Sequence, residues 1–342
     1  MHVNTLVIYS GKKNLYNLNY IKIKTNKMRV ISIIIPVFNE KDTISKLAKN
    51  IEQALQPANI SYEVIWVDDG STDGSRDILK QIRQNFAHSK VIFLARNYGQ
   101  TTAITAGLKA AEGEIAVTLD ADLQNDPNDI PAMLNIYRQG YDVVSGWRKN
   151  RKDAFLRRAC SQIANRIISY ITNLPLHDFG CSLKLYNAQK LKKICLHGEL
   201  HRFIPALMSR YGVKITEVPV NHHPRLYGKS KYNLTRTFRV LLDLGTVMLH
   251  TKFADKPLYF FGYISLYALA LALILALAAV LAAASHHIAT AEVILLFDIE
   301  IWAIFVAWLG FGFLAELLVM LHLKTSPEPI YCIENSTESE AE

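Results

Sequence analysis

Cysteine is scarce in this chain, with four in 342 residues, at Cys160, Cys181, Cys195 and Cys332. They show neither metal-ligand spacing nor a disulfide framework, which excludes zinc-stapled and disulfide-stapled architectures and fits a reducing compartment. No Gly-x-Gly-x-x-Gly and no Walker-type loop occurs, so dinucleotide and P-loop chemistry lose their support. No sustained apolar core precedes a small-residue cleavage site near the N-terminus, so a signal peptide is not expected there.

Charge is missing over long stretches. Leu258 to Ala284 contains no charged residue, and Ile301 to Ala315 is a second such run that continues to Leu323 with Glu316 and His322 as interruptions. About 20 apolar residues cross a bilayer core, so two membrane spans are expected, over 258–284 and 293–323. The connector Ser285 to Glu292 lacks Lys and Arg, whereas Lys252, Lys256 and Lys324 flank the other ends. The positive-inside bias therefore places the catalytic domain and both termini in the cytoplasm, at the inner (plasma) membrane. Asp298 and Glu300, near the start of the second span, are expected at its far interface.

The composition is 50% hydrophobic and 20% charged, with a net charge of +8 carried mostly before the spans. A basic surface beside a bilayer points to anionic membrane lipid rather than nucleic acid. Residues 1–28, rich in Asn, Lys and Tyr, read as a disordered extension with Met28 as a possible true start; residues 324–342 read as a cytoplasmic tail ending in a disordered acidic stretch. Between them, residues 29–232 alternate strand and helix patterns. Strands are predicted over 29–37, 63–67, 91–94, 115–119, 142–146 and 214–220, with helices over 41–55, 75–85, 101–111, 127–138, 156–172 and 188–194. This alternation predicts an α/β domain with a mostly parallel sheet and helices on both faces. Residues 233–257 read as a juxtamembrane amphipathic helix at headgroup level, a pattern shared by a helix packed on the domain core.

The chemistry concentrates at strand ends. Val117 to Pro127 reads V-T-L-D-A-D-L-Q-N-D-P, setting Asp120 and Asp122 two residues apart just after an apolar strand. Alone, such a pair is a polar turn. Here Val64 to Gly74 repeats the arrangement with Asp68 and Asp69, and Ile31 to Glu40 ends a third strand in Pro-Val-Phe-Asn-Glu. Ligands in open α/β sheets bind outside the carboxyl ends of the strands. Cations that carry substrate phosphates take one or two carboxylates. A nucleoside diphosphate with Mg²⁺ or Mn²⁺ is the expected ligand.

The ordered set Pro36-Val-Phe-Asn-Glu40, Asp68-Asp-Gly-Ser-Thr-Asp73, Asp120-Ala-Asp-Leu-Gln124, Ser145-Gly-Trp-Arg148, Asp178-Phe-Gly-Cys-Ser-Leu-Lys184 and Arg225-Leu-Tyr-Gly-Lys-Ser-Lys231, followed by two spans, resembles the membrane-bound family 2 glycosyltransferases that charge a polyprenyl phosphate. Bactoprenol glucosyltransferases and dolichol-phosphate mannose synthases are examples. The resemblance runs from about Arg29 to Lys324. It implies a GT-A, Rossmann-like catalytic domain and an inverting transfer of a hexose to undecaprenyl phosphate. UDP-glucose is the first donor on this reading, GDP-mannose the second, and UDP-GlcNAc or a UDP-aminoarabinose derivative follows. It further implies that Pro36, Phe38, Glu40, Asp68 and Asp69 hold the nucleoside, that Asp122 and Gln124 ligate the metal with Asp120 on the ribose or metal, and that Arg225 and Lys231 close over the phosphates.

Arg148, Arg157 and Ser161 are expected to hold the lipid phosphate, since the planar guanidinium pairs well with phosphate oxygens; touching anionic headgroups is the competing role. Asp178 stands where related transferases place a general base. A phosphate monoester is already largely dianionic near neutral pH, with its second pKa at about 6, so Asp178 is expected mainly to orient the acceptor loop or a basic partner. Lys184 stands where many relatives carry Arg. A homo-oligomer through the Ala-rich first span and a separate flippase are further expectations. A processive polysaccharide synthase is disfavoured because Gln-x-x-Arg-Trp is absent; a non-enzymatic nucleotide-sugar-sensing scaffold is the other competing class.

Overall fold

Ile31–Val37 is I-S-I-I-I-P-V, a continuous apolar run whose residues are buried on both faces except at Pro36. That is the pattern of a central strand in a sheet covered by helices on both sides. The computed structural model describes residues 31–149, 155–194, 196, 198–224, 244–249, 251–254 and 256–325. Arg225 and Lys231, the expected phosphate-closing residues, lie outside the described residues, as do residues 1–28 and most of the tail.

The strands are β1 (Ile31–Val37), β2 (Tyr62–Asp68), β3 (Ser89–Phe93), β4 (Ile115–Thr118), β5 (Val143–Trp147), β6 (Lys184–Asn187) and β7 (Ile215–Pro219). They form one sheet in the order β3-β2-β1-β4-β6-β5-β7. All pairs are parallel except those of β6, which runs antiparallel to both β4 and β5. The helices α1 (Lys41–Leu55), α2 (Ser75–Asn85), α3 (Gln100–Ala110), α4 (Ile130–Tyr137), α5 (Phe155–Thr172), α6 (Ala188–Lys192) and α7 (Ile204–Ser209) connect them. Helix α1 shows why: Ile44, Leu47, Ala48, Ile51 and Leu55 recur at helical spacing and fill one core layer.

The mostly parallel α/β sheet agrees with the sequence. Strand β6 is an addition. Its four residues, Lys-Leu-Tyr-Asn, carry no run or alternation long enough to announce a strand, and only its neighbours β4 and β5 create the place for it. The helix expected over 127–138 begins as a 3₁₀ turn at Pro127–Asp129 before α4. Because β2 and β3 lie on one side of β1 while β4 lies on the other, the chain switches direction between β1 and β4. In open α/β sheets a ligand-binding crevice lies at such a switch point, outside the carboxyl ends of the strands.

Helix α8 (Pro257–Ala284) and helix α9 (Ile288–Thr325) are long and apolar enough to cross a bilayer. They form a hairpin in which Ser265 Oγ donates to the Phe305 carbonyl at 3.2 Å, and Glu316 accepts from the Leu258 backbone N–H at 3.4 Å. Two expectations change here. In the segment expected to lie on the headgroups, Leu244 and Val247 are buried in the domain's second core cluster, so this described turn packs on the protein. Helix α9 starts at Ile288, earlier than expected, which sets Asp298 ten residues inside it, about 15 Å along the axis. Asp298 is 5% exposed, buried within the hairpin.

Candidate active site

The loops after β1 and β2 are welded together. The Asn39 N–H donates to Ser71 Oγ at 2.9 Å and Asn39 Oδ1 accepts from the Thr72 N–H at 2.8 Å. The Glu40 N–H donates to Ser75 Oγ at 3.0 Å and the Lys41 N–H to Asp73 Oδ2 at 3.2 Å. Asn39 adopts a left-handed conformation, φ 56°, that lets the chain turn from β1 into α1. Pro36, Phe38 and Glu40 consequently stand half-buried along the crevice.

Asp68 and Asp69 are placed differently from Pro36 and Phe38. Asp68 is 0% exposed and accepts from Arg76 Nε at 2.7 Å and the Ser71 N–H at 3.2 Å. Asp69 takes the backbone N–H groups of Tyr98 at 2.7 Å and Gly99 at 2.9 Å. Both carboxylates brace the loops that wall the crevice. Between them and Ser71, Gly70 has φ +75°, and a Cβ there would lie 2.5 Å from the backbone of Arg96 and Asn97, so glycine alone fits.

At the end of β4, Asp120 accepts from Gln100 Nε2 at 2.8 Å, a partner on α3 that the sequence did not single out. Asp122 Oδ1 accepts from the Gln124 N–H at 3.2 Å, and Leu123 between them has φ +61°. A buried leucine in this region costs about 1–3 kcal/mol and concentrates at functional turns. The turn is held from behind. Ser182 Oγ donates to Asn125 Oδ1 at 2.8 Å, the His223 N–H donates to the Gln124 carbonyl at 2.8 Å, and Asn125 bridges to His222. Hard oxygen donors from two carboxylates and an amide suit Mg²⁺ or Mn²⁺. Among the described residues no group of three or more His, Cys, Asp or Glu side chains could hold a metal. Such cations are commonly held by one or two carboxylates together with substrate phosphates.

On the other side of β6, Arg148 at the end of β5 forms a two-pronged pair with Asp178. Nε donates to Oδ2 at 2.7 Å and Nη2 to Oδ1 at 2.9 Å, and the Gly180 N–H adds a bond to Oδ1 at 3.0 Å. Burial would raise the Asp178 carboxyl, but the hydrogen bonds and charge of Arg148 outweigh it and hold it below the usual carboxylate range. Burial likewise opposes the Arg148 charge, yet Asp178 raises its pKa further. The Arg148 side chain is 13% exposed. Ser161 is half-buried on α5, the helix that also carries Arg157.

Lys184 on β6 is 2% exposed, and its Nζ donates to the Phe179 carbonyl at 2.9 Å and the Arg202 carbonyl at 3.3 Å. Burial pushes its pKa down to about 8. The 3₁₀ turn Leu200–Phe203, also absent from the sequence reading, connects to α3 through a 2.8 Å bond between His201 Nδ1 and Thr101 Oγ1. Its one sequence signal is the polar pair His201-Arg202 between apolar Leu200 and Phe203.

Comparison with known proteins points the same way. Residues 32–195 match the profile described as Glycosyl transferase family 2. A dodecaprenyl-phosphate galacturonate synthase of Rhizobium johnstonii is 43% identical over 254 residues, covering 72% of this chain and 75% of that protein. An undecaprenyl-phosphate 4-deoxy-4-formamido-L-arabinose transferase of Edwardsiella ictaluri is 34% identical over 310 residues, covering 90% and 94%. Among solved structures, glucosyl-3-phosphoglycerate synthase of Mycobacterium tuberculosis, in complex with Mn²⁺, uridine-diphosphate and phosphoglyceric acid, superposes with a TM-score of 0.50 at 18% identity. That match covers 65% of this chain and 78% of the other, and it shows a shared fold.

Proposed function

Since this chain belongs to glycosyltransferase family 2, among the polyprenyl-phosphate sugar transferases, we propose that it moves a hexuronic acid from a UDP-sugar to a polyprenyl phosphate at the cytoplasmic face of the membrane. The names of the relatives rank galacturonate first and a 4-formamido-arabinose second. Glucose, the first expectation from the motifs, falls below both. Flanking Lys252, Lys256 and Lys324 support a cytoplasmic catalytic domain.

The observation that carries the reading is the pairing of Asp120 with Gln100 and of Arg148 with Asp178 at the ends of β4 and β5, strands separated by β6 alone. On this reading a donor-side group and an acceptor-side group stand at neighbouring strand ends. Asp122 and Gln124 would hold the divalent cation, which supplies a positive charge for the departing diphosphate. The lipid phosphate oxygen attacks the anomeric carbon, and the bond from that carbon to the diphosphate breaks. Arg148, fixed in the plane of Asp178, orients the incoming phosphate. No strong base is required, because that phosphate is largely dianionic with a second pKa of about 6, and the arginine-bound Asp178 is a poor proton acceptor.

The test is transfer of labelled sugar to undecaprenyl phosphate by the purified protein with Mg²⁺ or Mn²⁺, from UDP-galacturonate, UDP-4-formamido-arabinose, UDP-glucose and GDP-mannose in separate reactions. Metal-dependent label in the lipid from UDP-galacturonate, lowered about 10²–10³-fold in Asp122→Ala, is the expected result. Nucleotide binding without lipid product from any donor would revive the sensing scaffold.

A further inference from the structure

We propose that Lys184 is a positioning residue for sugar transfer, a buried ammonium that holds the Asp178 loop against the Leu200–Phe203 turn and so sets the separation of the acceptor side from the donor side. The proposal rests on the transferase reading above and adds a residue to it.

A lysine at this place is costly. It lies in the middle of a seven-stranded sheet, in register with Thr118 of β4 and Ser145 of β5, so the three polar side chains form a row on one face just beneath the crevice. Beside that row the core layer is apolar, with Phe179, Leu200, Phe203 and Tyr186. An apolar side chain of similar volume would fill such a position without the desolvation of a charge. What the ammonium adds is direction. Its two hydrogen bonds run to carbonyls of two separate segments, Phe179 at 2.9 Å and Arg202 at 3.3 Å.

Each of those segments leads to one substrate. Phe179 follows Asp178, which fixes Arg148 on the acceptor side. Arg202 follows His201, whose ring bonds Thr101, and the neighbouring Gln100 donates to Asp120 on the donor side. Lys184 is thus the node between two hydrogen-bonded arms. In-line displacement depends on that spacing, since a misplacement of about 1 Å can cost about 10²-fold in rate.

The ammonium is also titratable. Burial lowers its pKa to about 8; Asp178 and the Cys181 sulfur favour its charge, while the Arg148 and Arg202 guanidiniums oppose it. Cys181 itself is pushed up to about 11 by burial and stays a thiol at neutral pH. A neutral amine keeps two N–H donors but makes weaker bonds than an ammonium, so activity should fall as pH rises through about 8 and the tether slackens.

The experiment measures kcat, KM and their pH dependence for full-length wild type, Lys184→Arg and Lys184→Met with UDP-galacturonate and undecaprenyl phosphate, alongside UDP binding by calorimetry. The expected result is a kcat lowered about 10²-fold in Lys184→Met with UDP binding unchanged. Lys184→Arg should keep most of kcat and lose the alkaline limb, because guanidinium stays charged. Wild-type kcat in Lys184→Met, or an alkaline limb that persists in Lys184→Arg, would overturn the proposal. The second outcome decides even where Lys184→Met does not fold. Wild-type protein that makes no lipid-linked sugar from any donor overturns the transferase reading and this proposal with it.

Discussion

At the scale of single residues, the Arg148–Asp178 pair separates two roles that look alike in sequence. A carboxylate that receives two guanidinium bonds and a backbone N–H has little tendency to take a proton. Asp178→Asn should therefore lower kcat by weakening the hold on Arg148 while leaving the acid limb of the pH–rate profile in place; loss of that limb, with turnover at the uncatalysed rate and lipid still bound, would identify a general base. Gly70 gives a second residue-scale prediction. Its φ of +75° and the 2.5 Å approach of the Arg96 and Asn97 backbone leave no room for a methyl group. Gly70→Ala should destabilise the protein by about 1–3 kcal/mol and weaken UDP binding, read by thermal unfolding and calorimetry.

At the scale of elements, the hairpin of α8 and α9 carries a polar group with no evident structural gain. Asp298 is buried against α8, and among the described residues its Oδ1 has no hydrogen-bond partner. Leaving a buried polar group without a hydrogen-bond partner costs about 1–3 kcal/mol. Asp298→Leu is expected to raise the thermal stability of the detergent-solubilised protein and leave sugar transfer unchanged. A drop in transfer at full stability would give Asp298 a functional part. The Glu316 carboxylate differs, because it meets the Leu258 N–H at the first turn of α8, where a helix has unpaired donors.

At the scale of the whole molecule, the sheet has a working end and a fastening end. Opposite the crevice, Glu63 accepts from Ser32 Oγ at 2.7 Å and from the Glu112 N–H at 2.8 Å, and pairs with Lys90 at 2.9 Å. These bonds gather the amino-terminal ends of β1, β2, β3 and β4. Burial would raise the Glu63 carboxyl, but Lys90, Ser32 and the Glu112 N–H together bring it below its ordinary value. With the folded pKa depressed, its stabilisation is present above the ordinary glutamate range and is lost as pH falls through the folded value. Glu63→Gln should cost about 1–3 kcal/mol at neutral pH and flatten the acid side of the stability curve, measured by unfolding midpoints between neutral and acidic pH.

The alternating strands and helices, the crevice at the strand ends, the acidic turn after β4 and the two apolar helices were all legible in the amino-acid sequence, because each is a local pattern of apolar period or turn chemistry. Helix α1 and helix α2 fall on the residues their spacing predicts. Other features exist only once distant segments meet. Strand β6 needs β4 and β5 beside it; Asp120 needs Gln100, and Arg148 needs Asp178, thirty residues on. The family resemblance implies that Asp68 and Asp69 hold the nucleoside; that they also brace the neighbouring loops, through Arg76, Ser71, Tyr98 and Gly99, shows only in the fold. Lys184 reads as an ordinary substitution for Arg until the fold buries it. Local pattern determines which residues turn toward a crevice; which charges lie within hydrogen-bond reach there is decided by long-range packing, since charge pairing and desolvation depend on neighbours far away in the chain.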